Sequence, residues 1–235
     1  MQLAALKALN AARQQRRAAV HVTDLASGKG WVVGEGETVK GALGETVATA
    51  FRSGVAQVVE VDGHRFFINP HLPQVMIVVV GAVHISQVLA EMAALAGFRV
   101  RIIDPRTAFA TPERFAGVDL IADWPVDVLA RHPLDRYSAL VAVTHDPKID
   151  DYPIAAALRA GCFYVGALGS RRTHAARLER LEREGLSKSE LARIHAPIGL
   201  DIGASSPAEI AVGILAEIIN VLRRPERSLS MEHLP

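Results

Sequence analysis

The segment Met76-Ile-Val-Val-Val-Gly-Ala-Val-His-Ile-Ser86 decides the fold. An apolar run breaks at Gly81, an apolar-periodic stretch follows as far as Gly97, and a second apolar run, Val100 to Ile103, ends in Asp104. Strand, tight turn, helix, strand and terminal carboxylate, with Asp104 placed 23 residues after Gly81, make the first βαβ unit of a nucleotide-binding sheet. The glycines are incomplete, because the positions of a GxGxxG fingerprint read Gly81, Val83 and Ser86. Val83 stands where a glycine would let a pyrophosphate approach the backbone, so the signal for the fold is stronger than that for a dinucleotide.

Working outward from this unit, strands and helices alternate from Val75 onward. The patterning predicts strands at 75–80, 99–103, 118–121, 139–144 and 162–165. It predicts helices near 84–96, 112–116, 125–131, 151–160, 172–184, 187–194 and 207–222. Thr111-Pro112 reads as a cap before a proline at the first helical position, and Ser187-x-x-Glu190 and Ser206-Pro-x-Glu209 fit capping boxes. Helices between parallel strands imply an α/β class with a Rossmann-like, doubly wound, mostly parallel sheet over 74–224. Before it, residues 1–73 read as a small α+β domain. A helix over 2–17 and a hairpin turning at 27–30 are followed by a helix from Gly41 to Phe51. Two strands, Gln57 to Val61 and His64 to Ile68, then flank the Asp62-Gly63 turn. Pro70 and Pro73 mark the boundary, and 225–235 reads as a flexible tail.

Half of the 235 residues are apolar and 22% are charged, which excludes wholesale disorder. A net charge of +1 demands neither a nucleic acid nor a membrane surface as partner. The single cysteine, Cys162, excludes an intrachain disulfide framework and reads as a small hydrophobe within a strand. The N-terminus lacks a signal-peptide pattern and no apolar run approaches a membrane span, so a soluble cytoplasmic protein is expected. There is no Gly-x-Ser-x-Gly elbow, no Walker loop and no HExxH.

In an open α/β sheet ligands sit beyond the carboxyl ends of the strands, and four polar clusters fall there. At Gly81-Ala-Val-His84 the turn leads into a helix whose free N–H groups suit a phosphate. His84 either meets an anionic ligand, acts as acid or base, or merely caps and packs. Asp104-Pro-Arg106 offers a carboxylate for a ribose and a guanidinium for a phosphate or a ring, or simply a turn. In Thr144-His-Asp-Pro-Lys-Ile-Asp-Asp151, His145 with Asp146 could position a proton and Lys148 could meet a phosphate. Asp150 and Asp151 read as the first turn of a helix in preference to a cation site. In Tyr164-Val-Gly-Ala-Leu-Gly-Ser-Arg-Arg-Thr-His174, the turn of Gly166, Gly169 and Ser170 opens a helix beside Arg171 and Arg172, a site for phosphate or a dicarboxylate. Farther on, Ile194 to Ala204 is apolar without periodicity, a buried shaped loop that could present His195 and Asp201 to a pocket.

These motifs resemble those of the xanthine dehydrogenase accessory family, the XdhC/CoxI-type proteins. The resemblance rests on Gly81-Ala-Val-His-Ile, on Asp104-Pro-Arg-x-x-Phe-Ala-Thr-Pro-Glu-Arg-Phe115 and Trp124-Pro, and on the clusters at 144–151, 164–174 and 194–203. It covers about residues 75 to 222, with a looser likeness over 1–73. It implies a molybdenum cofactor chaperone, an accessory factor in place of a metabolic enzyme. Such a factor binds the molybdopterin form and assists its sulfuration and insertion into xanthine dehydrogenase or a related molybdenum hydroxylase of purine catabolism. The partners it implies are that apo-enzyme, a cysteine desulfurase and a second copy in a dimer. Carried onto this chain, Gly81, Val83 and His84, Asp104 and Arg106, and the loop from Gly166 through Gly169, Ser170 and Arg171 to Arg172 become cofactor contacts, with His145, Asp146 and Lys148 beside them. The Gly-Gly-Cys-Val-Glu-like segment of longer members does not occur here. Two other readings stay open: an NAD(P)-dependent oxidoreductase with His84 or His145 as acid–base, and a regulatory nucleotide-binding module.

Overall fold

A computed structural model of the chain describes residues 3–224, so the predicted tail lies outside the described residues. The chain divides into two units, Met1–Pro73 and Gln74–Pro235.

The first unit runs α1 (Leu3–Gln14), β1 (Ala19–Asp24), β2 (Gly30–Gly34), α2 (Gly41–Ser53), β3 (Gln57–Val61) and β4 (His64–His71), with a four-stranded antiparallel sheet in the order β2-β1-β4-β3. Asp62 and Gly63 both take positive φ, 52° and 75°, as the type I′ hairpin requires. Val20, Val22, Val33 and Ile68 of the sheet pack against Val47 and Ala50 of α2. The strand β4 runs through Pro70, beyond the expected end at Ile68. Past Ile68 it pairs only with β1, so the donor that proline lacks is not needed on the other side.

The second unit runs β5 (Met76–Val80), α3 (His84–Leu95), β6 (Arg99–Ile103), β7 (Asp119–Ile121), α4 (Pro125–Arg131) and β8 (Ser138–Ala142). It continues with α5 (Pro147–Arg159), β9 (Tyr164–Ala167), α6 (Arg171–Arg183), α7 (Lys188–Leu191), β10 (Ile194–His195) and α8 (Pro207–Arg223). Every strand pair here is parallel, in the order β10-β9-β8-β5-β6-β7. Counted within the unit from the other edge, this is 3-2-1-4-5-6, with the switch point between β5 and β8. The pleat explains why these strands are apolar without a break. Ile77, Val79, Ile102, Val141 and Tyr164 join one core with residues of α3 and α8. Val78, Val80, Ile103, Leu140 and Val165 join a second with residues of α4, α5 and α6. The whole is a mixed α/β fold with one parallel and one antiparallel sheet.

Several boundaries move. Residues 112–116 form turns instead of a helix. The Arg114 side chain instead holds the loop through the carbonyls of Ala82 and Phe109. The helix expected from 151 starts at Pro147, because Asp146 caps it by accepting from the Lys148 N–H. The strand expected from 162 starts at Tyr164, so Cys162 is buried just ahead of it. There burial pushes its thiol pKa up to about 12. The helix expected over 187–194 is a single turn, α7, closed by a full capping box, as is the start of α8. Ile194 and His195 instead pair with Val165 and Gly166 as the edge strand β10.

Candidate functional site

The candidate site is the carboxyl edge of the parallel sheet around the switch point, where three of the four polar clusters meet. Gly81 takes a φ of 120°, and a Cβ there would lie 3.0 Å from Thr144 Cγ2 and 3.2 Å from Val143 Cγ2. Only glycine lets the turn after β5 lie this close to the turn after β8. Ser86, at the third fingerprint position, is fully buried and donates from Oγ to the Gly81 carbonyl at 2.5 Å. A small hydroxyl thus fills the place of the last glycine and ties the helix to the turn.

On the other side of that turn, Asp104 is 0% exposed and its carboxylate is fully engaged. It accepts from the Ala82 N–H (2.7 Å), the Arg106 N–H (2.9 Å), Arg106 Nε (2.9 Å) and Arg106 Nη2 (2.7 Å). Burial pushes its pKa up, but the hydrogen bonds from Arg106 and Ala82 outweigh it and hold the carboxyl below its usual value. Asp104 therefore braces the β5–α3 turn from within. Arg106 is fixed over the exposed Phe109 ring, 4.8 Å from its centroid, with its pKa raised mainly by the hydrogen bonds to Asp104.

The first turn of α3 is open. Val83 occupies the N-cap and no side chain caps the helix, while His84 is exposed and makes no side-chain hydrogen bond within the described residues. The first N–H groups of a helix have no partners inside it. A residue that sequence reasoning placed only in a motif lies beside them: Arg114 donates from Nη1 to the Ala82 carbonyl (3.1 Å) and from Nη2 to Gln87 Oε1 (3.1 Å). An uncapped helix start and a guanidinium together favour an anion.

The 144–151 cluster is largely a device that shapes its own loop. Thr144 Oγ1 donates to Asp150 Oδ1 (2.7 Å), the His145 N–H donates to Asp150 Oδ2 (3.1 Å), and Asp151 forms a two-point ion pair with Arg180. Asp150 and Asp151 belong to α5, as the helix-start reading expected. Asp150 is 1% exposed, and burial raises its pKa to about 6. His145, at a φ of 64°, and Lys148 are exposed beside Asp146.

The fourth cluster differs from the first. Ser170 caps α6 by accepting from the Thr173 N–H (3.2 Å), so that helix start is closed by its own side chain. Gly169 needs its φ of 140°. Gly166 lies inside β9, where a Cβ would meet Ile198 at 2.6 Å, so it serves packing. Arg171 and Arg172 are exposed at the start of α6. Arg177 lies beneath the loop, 2% exposed, with Nη2 donating to the Leu168 carbonyl (3.0 Å). Its Nε and Nη1 are buried without a hydrogen-bond partner, and burial pulls its pKa down. Nothing in the Arg- and Glu-rich sequence of α6 distinguishes this buried arginine from its exposed neighbours.

At the far end of the same edge His195 Nδ1 lies 3.1 Å from Glu217 Oε1 and its ring stacks on Tyr164 with centroids 4.7 Å apart. Glu217 Oε2 accepts from the Tyr164 hydroxyl (2.6 Å) and the Gly199 N–H (2.8 Å). Burial pushes the Glu217 pKa up, but hydrogen bonds from His195 and Tyr164 bring it below its usual value. Burial first, and then Glu217, raise that of Tyr164. A signal for Glu217 existed: it is a lone acid inside the apolar run from Ile210 to Val221. Asp201 is exposed, and its side chain accepts only from the nearby Gly203 N–H.

Among the described residues no group of three or more His, Cys, Asp or Glu side chains could hold a metal ion, and no helix is long and apolar enough to cross a membrane.

Residues 77–218, more than half of the chain, match a family model described as the XdhC Rossmann domain. The chain is 34% identical over 161 residues to a probable xanthine dehydrogenase component of Bacillus subtilis, covering 68% of this chain and 47% of that one. It is 30% identical over 149 residues to the molybdenum cofactor insertion chaperone PaoD of Escherichia coli, covering 63% and 41%. The chain thus spans less than half the length of these curated relatives. A crystal structure described as a xanthine dehydrogenase from Bacillus halodurans shares the fold, with a TM-score of 0.65 at 23% identity over 95% of this chain and 65% of that one. With its family-specific segment spanning the open turn at Gly81, the braced Asp104 and the Glu217 network alike, this chain belongs to the XdhC family, related to xanthine dehydrogenase accessory proteins.

Proposed function

We propose that this protein is a cytoplasmic molybdenum cofactor chaperone. It would hold the molybdopterin form of the cofactor while the terminal ligand is sulfurated and then assist insertion into a xanthine dehydrogenase-like molybdenum hydroxylase. A cysteine desulfurase, the apo-hydroxylase and a second copy of this chain are the proposed partners. The observation that carries this reading is the uncapped first turn of α3 at the switch point of a Rossmann-like sheet, with Arg114 beside it. The family membership and the chaperone among the relatives support it.

The cofactor's phosphate would sit on the N–H groups at Val83, His84 and Ile85. Arg114 and Arg106 would supply positive charge on one side, and Lys148 and the pair Arg171 and Arg172 on the other. His145 and Asp146, on the loop after β8, would line the same edge as polar contacts, with Gly169 and Ser170 shaping the loop that presents the paired arginines. With Cys162 buried and its thiol held protonated, no thiolate among the described residues is offered to the metal, so the cofactor would be held through its organic part. Asp104 supports a pterin phosphate over a dinucleotide, because an acid engaged by Arg106 and Ala82 has no oxygen left for a ribose.

The test is to purify the protein without oxygen from a cofactor-producing host and from a strain that cannot make the cofactor. Molybdenum is measured by elemental analysis and molybdopterin by the fluorescence of its oxidised product. Near-stoichiometric cofactor from the first host and none from the second is expected. Empty protein from both, or protein carrying a nicotinamide nucleotide, would overturn the proposal.

A further inference from the structure

His195 sits at the carboxyl end of β10, paired with Gly166 of β9, on the face of the sheet that α3 and α8 cover. Its chemistry is decided by its partner. Glu217 accepts from the Tyr164 hydroxyl and the Gly199 N–H, and its pKa lies below the usual value, so it is a carboxylate with no proton to give. His195 Nδ1 must therefore be the donor in the 3.1 Å contact, so of the two neutral tautomers the pair selects the one with its lone pair on Nε2. That side chain is 24% exposed, and Nε2 has no partner among the described residues. Stacking on Tyr164 fixes the ring plane, and Glu217 fixes its rotation. The bonds from the Gly199 N–H to Glu217 and from the Leu200 N–H to the Gly213 carbonyl tie the 196–203 loop to α8, and neither requires a histidine at 195.

We infer that His195 is a ligand-contact residue whose Nε2 accepts a hydrogen from an acidic N–H or O–H at the far end of an elongated ligand, with Glu217 as the residue that positions it. This rests on the reading of the first turn of α3 as the anion site. From β5 to β10 there are three strand spacings, on the order of 14 Å, so the two contacts select a ligand with an anionic group at one end and a heterocycle bearing an acidic N–H at the other. A pterin carrying a phosphate on its side chain has this chemistry. A phosphate or pyrophosphate alone would touch only the first contact.

Two variants divide the ring in half. His195→Asn keeps a donor near the place of Nδ1 and removes the group at Nε2, whereas His195→Gln keeps a polar atom near Nε2. The probes are molybdenum cofactor released without oxygen from a donor molybdoenzyme, and inorganic pyrophosphate. H195N is expected to bind the cofactor about tenfold or more weakly, with pyrophosphate affinity unchanged and H195Q recovering part of the loss. On the wild-type chain, carbethoxylation of His195 mapped by mass spectrometry should be blocked by cofactor and not by pyrophosphate. Glu217→Gln should shift the ring 15N resonances toward a mixed tautomer. Undiminished cofactor affinity in H195N, or His195 equally reactive with and without cofactor, would overturn the assignment while leaving the anion site standing. A wild-type chain that bound neither probe would remove the anion site and this inference with it.

Discussion

Asp104 separates two accounts of this sheet edge. As a ribose acceptor it would matter to a ligand and little to the fold. The geometry makes it a brace, because its carboxylate is fully buried and takes the Ala82 N–H together with three donors from Arg106. Asp104→Ala leaves the buried Ala82 donor and the Arg106 guanidinium without their acceptor. Removing one partner of a buried ion pair costs about 3–5 kcal/mol. Arg106 is 33% exposed and regains some water, so the low end, about 3 kcal/mol, is the better expectation. For a unit of this size that lowers Tm by roughly 6–12 °C. The assay is urea unfolding of Asp104→Ala, Arg106→Ala and the double variant. Arg106→Ala should be costly too, since it strands a buried carboxylate, and the double variant should cost less than the sum of the two. An Asp104→Ala protein within about 0.5 kcal/mol of the parent, or strictly additive variants, would refute the brace. The pH dependence has a definite sign. A carboxyl held below its unfolded pKa contributes stability above that value and loses it as pH falls through the folded pKa, so this contribution disappears only under acid conditions below about pH 4.

Three further outcomes are expected. Gly81→Ala puts a Cβ 3.0 Å from Thr144 Cγ2 at a φ of 120°, and should lower stability by about 1–3 kcal/mol in thermal unfolding. Asp150 has the opposite sign to Asp104: its pKa is raised, so its contribution is present below the unfolded value and lost as pH rises toward about 6. That amounts to as much as about 3 kcal/mol, and Asp150→Asn should flatten the wild-type decline between about pH 4 and pH 6 in a stability–pH profile. Arg114→Ala should weaken pyrophosphate binding by about tenfold in calorimetry, as loss of one charge-assisted contact predicts, and an unchanged affinity would remove Arg114 from the site.

What the sequence made legible was whatever local pattern controls. The apolar run to Gly81 and the acid at Asp104 specified the first βαβ unit, Asp62-Gly63 specified the β3–β4 hairpin, and the two capping boxes formed at Ser187 and Ser206. The misplacements occurred where a long-range contact overrode a local signal. Thr111-Pro112 resembles a helix start, but the Arg114 guanidinium bonds across to Ala82, and that non-local contact keeps the segment in turns. Ile194 and His195 carry no periodicity because two residues cannot show one, and only the presence of β9 makes them a strand.

The site was less legible than the fold for a related reason. Sequence shows that a residue can carry charge, but not whether the fold has already used that charge. Asp104 reads as a carboxylate free for a ribose, and it proves to be engaged by Arg106 and Ala82; Asp150 reads as part of a helix start, and it is there, but bound in addition by Thr144 and His145. Ser170 and Val83 stand at matching βα turns, yet the serine closes its helix and the valine, which had counted against a pyrophosphate, leaves its helix open. The residue types that look most chemical in a sequence are therefore the ones most readily consumed in shaping their own loops. Among the groups left with unpaired capacity in the described residues, the first turn of α3 and the outer nitrogen of His195 lie at the sheet edge, where a ligand has something to gain.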